Sequence, residues 1–502
     1  MPQTSGVLNA LRRRIARTLG FAPAPGSKLD PASFLAHAAA LAAHAAPPPP
    51  GLWLSILTEG PAPAATGLAE FVACDLAIAD APARWNEAAS RARAPFVARL
   101  DPGGRLTPHA VERVAAALAG NPQARGLYTD EAVEGGEIAL KPAFDPVLLQ
   151  SFDYFGRLAV WRCEDLLSLG GWRDAPDPDH DLALRLTAAA PPGAILHLPY
   201  PAYIGPARPT LFHTHSPAPR AWPKVSVVIP SRDAPDLIGR VLDGLFAHTD
   251  YPDFDVIVID NGSTDPRTLA LYARAPDRLR VEIRPAPFNF SHAVNRGVAL
   301  SEGALVLLLN NDVEIIEPGW LKEMVACFDF SQTGIVGAKL VYPDGTLQHA
   351  GVIAGLGGYA GHWHIGMPAD TPGPQGRLRA RQSLSVVTGA CLLVSRACFE
   401  QLGGFDAETF PVAYNDVDFC LRAGAAGWRG VWTPFARLIH HESASRGSDE
   451  TPENRARFAR DKAALRARHR TDVLEDRAYN PWASREASVP WPRARADLPP
   501  AR

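Results

Sequence analysis

Apolar residues between positions 225 and 309 fall in short unbroken blocks, each closed by polar residues. Val225–Ile229, Val256–Ile259 and Leu305–Leu309 are such blocks. A continuous run of this length predicts a parallel strand covered on both faces. Between the blocks, Leu237, Val241, Leu242 and Leu245 recur at helical spacing and predict a helix over 235–248. A second helix is predicted over 291–301. Strand, helix, strand, helix, strand implies a right-handed parallel sheet. Ligands of such sheets sit beyond the carboxyl ends of the strands. The three blocks end there in Pro230-Ser231, Asp260-Asn261-Gly262-Ser263 and Asn310-Asn311-Asp312.

The pattern occurs twice. Asn86 lies 15 residues before Asp101, and Asn295 lies 15 before Asn310. Gly170-Gly171-Trp172 precedes Asp179, Asp181 and Arg185, as Gly403-Gly404-Phe405 precedes Asp416, Asp418 and Arg422. Two matches in one order predict a duplicated fold. Proline punctuation at 47–50 and from 206 to 223 separates the copies. The predicted plan is a basic helix and Ala/Pro linker over 1–50, a first copy over 51–205, a linker over 206–223, a second copy over 224–447, and a helical extension with a loose tail over 448–502.

Composition narrows the classes. In 502 residues, 50 basic against 53 acidic side chains lack the footprint of a nucleic-acid binder. Six scattered cysteines form no CxxC pair, so a reducing cytoplasm is the simplest compartment. No apolar run reaches the length of a membrane span, and no signal-peptide pattern opens the chain. Leu8, Leu11, Ile15 and Leu19 alternate with Arg12, Arg13, Arg14 and Arg17. They read either as a helix resting on anionic lipid or as a short solvated helix.

Several strand-end residues carry candidate chemistry. Asp260 suits either a nucleoside edge or an Asx-turn. Asp312 and Glu314 are hard oxygen ligands for Mg²⁺ or Mn²⁺, or a solvated acidic turn. Asp416 begins a helix, where a carboxylate serves as a cap or as a general base facing a cleft. Asp418 can pair with Arg422 at i+4. Of His440 and His441, adjacent on a strand, only one can face a site, and His441 is preferred. His349, His362 and His364 lie in Gly-rich sequence, and a dedicated zinc site there is disfavoured.

The ordered strings VSVVIPSRD, VIVIDNGSTD, FNFSHAVNRG, LLLNNDVEI, LQHAGVIAGLGG, VTGACLLVSR, GGFD, YNDVDFCLR and HHESASRG span 225–447. Together they resemble family 2 glycosyltransferases, the inverting enzymes of the GT-A fold, in the bacterial subgroup of surface-polysaccharide and O-antigen synthesis. The resemblance implies an α/β fold of two tandem GT-A-like domains with mostly parallel sheets, the first degenerate. It implies nucleotide contacts at Pro230, Ser231, Asp260, Asn310 and Asn311. It implies a divalent metal, Mg²⁺ or Mn²⁺, at Asp312, Glu314 and His441. Asp416 is the implied base, and His349, Thr388, Gly389, Tyr414, Asn415 and His440 line the cleft. The implied donor is a dTDP- or UDP-linked sugar. The implied acceptor is a glycan or lipid-linked glycan, which would bring the chain to the inner face of the cytoplasmic membrane. Asn310, Asn311 and Asn415 stand where many relatives have acids. In the first copy Gly103 falls opposite Asp312, so that copy is expected to be silent. The competing readings are a non-catalytic scaffold of two such domains and a nucleotidyltransferase. The latter lacks its Gly- and Arg/Lys-rich loop after the first strand.

Overall fold

A computed structural model of the chain describes residues 26–60, 65–207, 209–213, 222–274, 276–441 and 452–502. The expected basic helix near the N-terminus, residues 208 and 214–221 of the 206–223 linker, and Glu442-Ser443 lie outside the described residues.

In the first copy, strands β1 (Leu54–Thr58), β2 (Ala69–Ala73), β3 (Phe96–Leu100), β4 (Gly126–Val133), β5 (Ala159–Arg162) and β6 (Ile195–Gly205) form a sheet of order β2-β1-β3-β5-β4-β6. In the second, β7 (Val225–Ser231), β8 (Phe254–Asp260), β9 (Leu279–Ile283), β10 (Leu305–Leu309), β11 (Val313–Ile315), β12 (Thr333–Val341), β13 (Cys391–Ser395) and β14 (Arg429–His440) give β9-β8-β7-β10-β13-β12-β14-β11. The two orders correspond strand for strand, with the two-residue strand Arg105–Leu106 beside β6 in the place of β11 beside β14. The first copy has no counterpart of β9 among the described residues. The β9-to-β10 half is parallel, as the apolar blocks predict, whereas β13 runs antiparallel to both β10 and β12.

The blocks are unbroken because both faces of the sheet are covered. Leu305, Leu307 and Leu309 pack with Val241 and Leu245 of α1 (Pro235–His248). Val306 and Leu308 pack on the other face with Val294 and Val298 of α2 (Phe290–Leu300) and Phe419 of α3 (Asn415–Ala425). Burying such a side chain is worth about 1.5–3 kcal/mol.

The duplication extends to individual hydrogen bonds. Asn86 donates to the carbonyl of Trp172 and accepts from its N–H, both at 2.8 Å. Asn295 does the same with Phe405 at 2.8 and 2.9 Å. Arg185 bonds Asp181 and the carbonyls of Leu169 and Gly171; Arg422 bonds Asp418 and those of Leu402 and Gly404. A Cβ on Gly171 or Gly404 would strike the bracing asparagine. These contacts explain why the asparagine, the double glycine and the D-x-D-x-x-x-R string recur together.

The C-terminal tail corrects the expectation of a loose segment. After α4 (Pro452–His469), the chain runs back across the first copy. Asn480 donates to both oxygens of buried Asp130 at 2.9 Å and to the Lys141 carbonyl at 2.8 Å. Trp482 is fully buried, donates to the Pro199 carbonyl at 2.6 Å and meets Phe34 edge-on at 5.1 Å. Arg493 bridges to Lys28, and Arg502 exchanges backbone bonds with His197. Proline and arginine content hides this because a few apolar residues, Trp482 and Ala494 among them, do the docking. Trp482→Ala is expected to cost about 3–5 kcal/mol, as for other buried aromatics cut to alanine. An earlier urea transition with loss of protease resistance in the first copy would show it; an unchanged midpoint would mean the tail is not part of that core. No helix among the described residues is long and apolar enough to cross a membrane.

Candidate functional site

The carboxyl ends of β7, β8 and β10 meet along one edge of the second copy. Parallel pairing sets Asp260 opposite Ser231 and Ile259 opposite Pro230. Asn311 then donates to the Ser231 hydroxyl at 3.1 Å, joining the β10 and β7 ends. Asp260 is fully buried, and both its oxygens are engaged. One accepts the Ser263 N–H at 2.6 Å; the other accepts the hydroxyls of Ser263 at 2.5 Å and Tyr272 at 2.8 Å. The Asx-turn reading therefore describes Asp260 as it stands, and it braces the loop that follows β8. Burial, then the Asp260 charge, hold the Tyr272 hydroxyl protonated well above its usual range.

Asp233 completes this floor and escaped the reading of the sequence. Asp233 and Ala234 are consecutive left-handed residues, at φ 47° and 53°. Such a pair costs of order 1–3 kcal/mol per residue and persists at ligand clefts. The Asp233 carboxylate accepts the N–H groups of Thr264 and Asp265 at 2.8 and 3.0 Å, and those bonds pull it below the usual carboxylate range. It ties the post-β7 loop to the post-β8 loop. The available signal was Pro235 at the first turn of α1, which fixes where the helix starts and leaves two residues for the bend.

The acid and imidazole groups past β10 sort into two pairs. Asp312 lies in the turn before β11, not in the strand, so alternation does not align it with Glu314. Antiparallel pairing of β11 with β14 sets His440 opposite Val313. His440 Nε2 reaches Asp312 Oδ1 at 3.1 Å, and both residues are buried. His441 instead meets Glu314 at 2.8 Å, beside Arg240, whose guanidinium is 3.6 Å from the same carboxylate. The expected grouping of Asp312, Glu314 and His441 is thus corrected: His440 is the histidine beside Asp312. His440 is the last residue of β14 and His441 the first beyond it, and the two side chains take different partners. Among the described residues, no group of three or more His, Cys, Asp or Glu side chains is gathered as a metal cage. His440 Nδ1 is buried without a hydrogen-bond partner among them.

Asp416 stands at the first turn of α3, half-buried. Its Oδ2 accepts the Gly389 N–H at 2.8 Å, and Oδ1 accepts the Val417 N–H at 2.8 Å. Asn415 Oδ1 accepts the Asp416 N–H at 2.7 Å. Next to Gly389, the Ala390 carbonyl accepts the Asn310 N–H at 2.9 Å, so the base candidate and the β10 turn share one contiguous backbone. Asp418 is a different kind of acid: fully buried, it is held by Arg422 at 2.8 Å, Arg468 at 2.9 Å and His469 at 2.8 Å. His349 is buried behind the cleft. It accepts the Thr388 N–H at 3.4 Å, and its Nδ1 lies 3.2 Å from that of His362. Burial, then the neighbouring His362 and His440, keep it neutral. His364 is pushed down to about 4 by burial, then by Arg377.

The first copy has the same frame with its cleft closed by charge. Register places Arg99 at the position of Leu308, Asp101 at Asn310 and Gly103 at Asp312. Arg99 pairs with Asp179, the counterpart of Asp416, and with Asp101; Arg157 pairs with Asp101 as well. Trp172 donates to the other Asp179 oxygen at 2.8 Å.

Residues 223–461 match a family described as "Glycosyltransferase like family 2". The chain is 38% identical over 417 residues to the O-antigen biosynthesis protein RfbC of Myxococcus xanthus, covering 73% of this chain and 32% of that one. It is 32% identical over 229 residues to an N-acetylglucosaminyl-diphospho-decaprenol L-rhamnosyltransferase of Mycobacterium tuberculosis, covering 42% and 73% respectively. Of the curated relatives matched over more than 400 residues, the chain spans 49% and 32% of the length. Among solved structures, a mannosyltransferase of Pyrobaculum calidifontis, in complex with GDP-Man and Mn²⁺, is similar at TM-score 0.37 and 19% identity, over 52% of this chain and 73% of that one.

Proposed function

We propose, from the premise that the chain belongs to glycosyltransferase family 2, that it transfers a sugar from a nucleoside-diphosphate donor to a hydroxyl of a glycan or lipid-linked acceptor, with inversion, in cell-surface polysaccharide synthesis. The observation that carries the reading is Asp416: a half-buried carboxylate, aimed by Gly389 N–H, beside the polar ends of three strands.

In one in-line displacement, Asp416 takes the proton of the acceptor hydroxyl as that oxygen attacks the anomeric carbon. The bond from that carbon to the phosphate oxygen breaks, and its electron pair leaves with the nucleoside diphosphate. An α-linked donor gives a β-linked product. Oδ2 keeps lone-pair capacity beyond its bond to Gly389, as carboxylate oxygens do. Ser231, Asn311 and the loops braced by Asp233 and Asp260 hold the nucleoside end. Asp312 and His440, a buried carboxylate and an imidazole within 3.1 Å, would hold a divalent cation such as Mg²⁺ or Mn²⁺. Bound there, the cation neutralises charge on the leaving diphosphate. The first copy, with Asp179 paired to Arg99, acts as a brace and not as a second centre. A lipid-linked acceptor would bring the chain to the inner membrane face.

Calorimetric titration of UDP, dTDP and GDP, with and without Mn²⁺, tests the reading. Cation-dependent binding of one nucleotide is expected. Binding of none would leave a scaffold of two GT-A-like domains.

A further inference from the structure

Helix α3 begins in an unusual way. Its counterpart in the first copy, the helix Pro178–Ala189, starts from Asp177 in an extended conformation, whose carboxylate caps the His180 N–H at 3.1 Å. That is the ordinary arrangement for a helix start. At the same position α3 has Tyr414, left-handed at φ 58° and with no side-chain cap. A cap is absent and backbone strain is added. The tyrosine, two residues before Asp416, packs against the core but supplies no cap.

What the ring does gain is neighbours. Tyr414 stacks with Phe458 of α4, centroids 5.4 Å apart and planes at 24°. Phe458 is 38% exposed, so the stack reaches solvent. The Lys462 ammonium, one turn further along α4, lies 4.6 Å from the Phe458 centroid and 5.0 Å from that of Tyr359. Asp461 is almost fully buried and accepts the Ala413 N–H, which pins the turn carrying Tyr414 to α4. Burial, then Tyr359, Asp416 and Asp461, push the Tyr414 hydroxyl up to about 12, so the ring stays neutral beside the base.

We propose that Tyr359, Tyr414 and Phe458, with Lys462, form a platform on which the acceptor's sugar ring lies, so that α4 selects and orients the acceptor for Asp416. The chemistry fits a neutral pyranose. Its C–H face packs on aromatic rings, and its hydroxyls take the ammonium donors of Lys462. The proposal rests on the transferase reading for its consequence, not for its geometry.

Saturation-transfer NMR tests it with methyl glycosides of rhamnose, N-acetylglucosamine, galactose and mannose, with Mg²⁺ and with UDP or dTDP. The wild-type chain is expected to saturate the ring protons of at least one glycoside. Phe458→Ala and Tyr414→Ala are expected to weaken that signal about fivefold, the equivalent of one lost ring contact. The nucleotide signal stays, which also reports an intact fold; Phe458 is exposed enough for its removal to be tolerated. Equal glycoside signals in both variants, or no glycoside signal from wild type, overturn the platform. A glycoside signal lost in the variants without any nucleotide binding leaves the platform standing and removes the transferase reading.

Discussion

Asp416→Asn is expected to lower sugar transfer about 10²- to 10⁴-fold, the usual contribution of a positioned general base. Nucleotide affinity should stay near wild type. The amide keeps one oxygen for the Gly389 N–H, at 2.8 Å in the native chain, and gives up only the local bond from the Val417 N–H within the first turn of α3. What it loses is the capacity to take a proton. Release of nucleoside diphosphate in the presence of acceptor, together with nucleotide binding, separates the two effects. Asp179→Asn, at the matching position of the first copy, should leave transfer unchanged. There the carboxylate is bound by Arg99 and by Trp172 at 2.8 Å, and no strand-end carboxylate stands at Gly103. If Asp179→Asn were as damaging as Asp416→Asn, the working centre would lie in the first copy. Asp418→Asn makes a useful contrast. That buried acid faces Arg422, Arg468 and His469, so losing its charge should unfold the α3–α4 junction rather than change the chemistry selectively.

Much of this frame was legible because burial writes itself into hydrophobicity. Val225–Ile229, apart from buried Ser226, and Leu305–Leu309 are apolar since helices cover both faces, and that also marked where the strands end. The duplication was legible through Asn86 and Asn295 because each asparagine braces a double-glycine turn, and such a brace permits few substitutions. The identity of the histidine beside Asp312 was not legible. It depends on the register between β11 and β14, which are far apart in sequence, and a slip of one residue exchanges His440 for His441. Whether Asp260 meets a ligand or braces its own turn stayed open in the sequence because its turn partners, Ser263 and Tyr272, are ordinary residues with no signature. The docked tail was hidden for a related reason. Its contacts with Asp130 and Pro199 span more than 280 residues, and composition alone carries no trace of them.

The register argument makes its own prediction, which concerns the cation. Asp312→Ala is expected to weaken cation-dependent nucleotide binding by about 100-fold or more, since loss of even an outer-shell partner typically costs 10–100-fold in metal affinity. His440→Ala should act in the same direction, because it removes the imidazole that lies 3.1 Å from Asp312. Glu314→Ala and His441→Ala should do far less. These two pair with one another at 2.8 Å, and Arg240 lies 3.6 Å from Glu314, supplying a positive charge where a cation would otherwise sit. Titrating Mn²⁺ at fixed nucleotide gives four apparent affinities, and their grouping is the test. Asp312 with His440 on one side, and Glu314 with His441 on the other, is the pattern that follows from β14 ending at His440 with its side chain inside. A loss at Glu314 and His441 equal to that at Asp312 would mean that the two pairs close around one ion when nucleotide binds. Arg240 would then have to move out, and the separation of the pairs would describe only the chain without its donor.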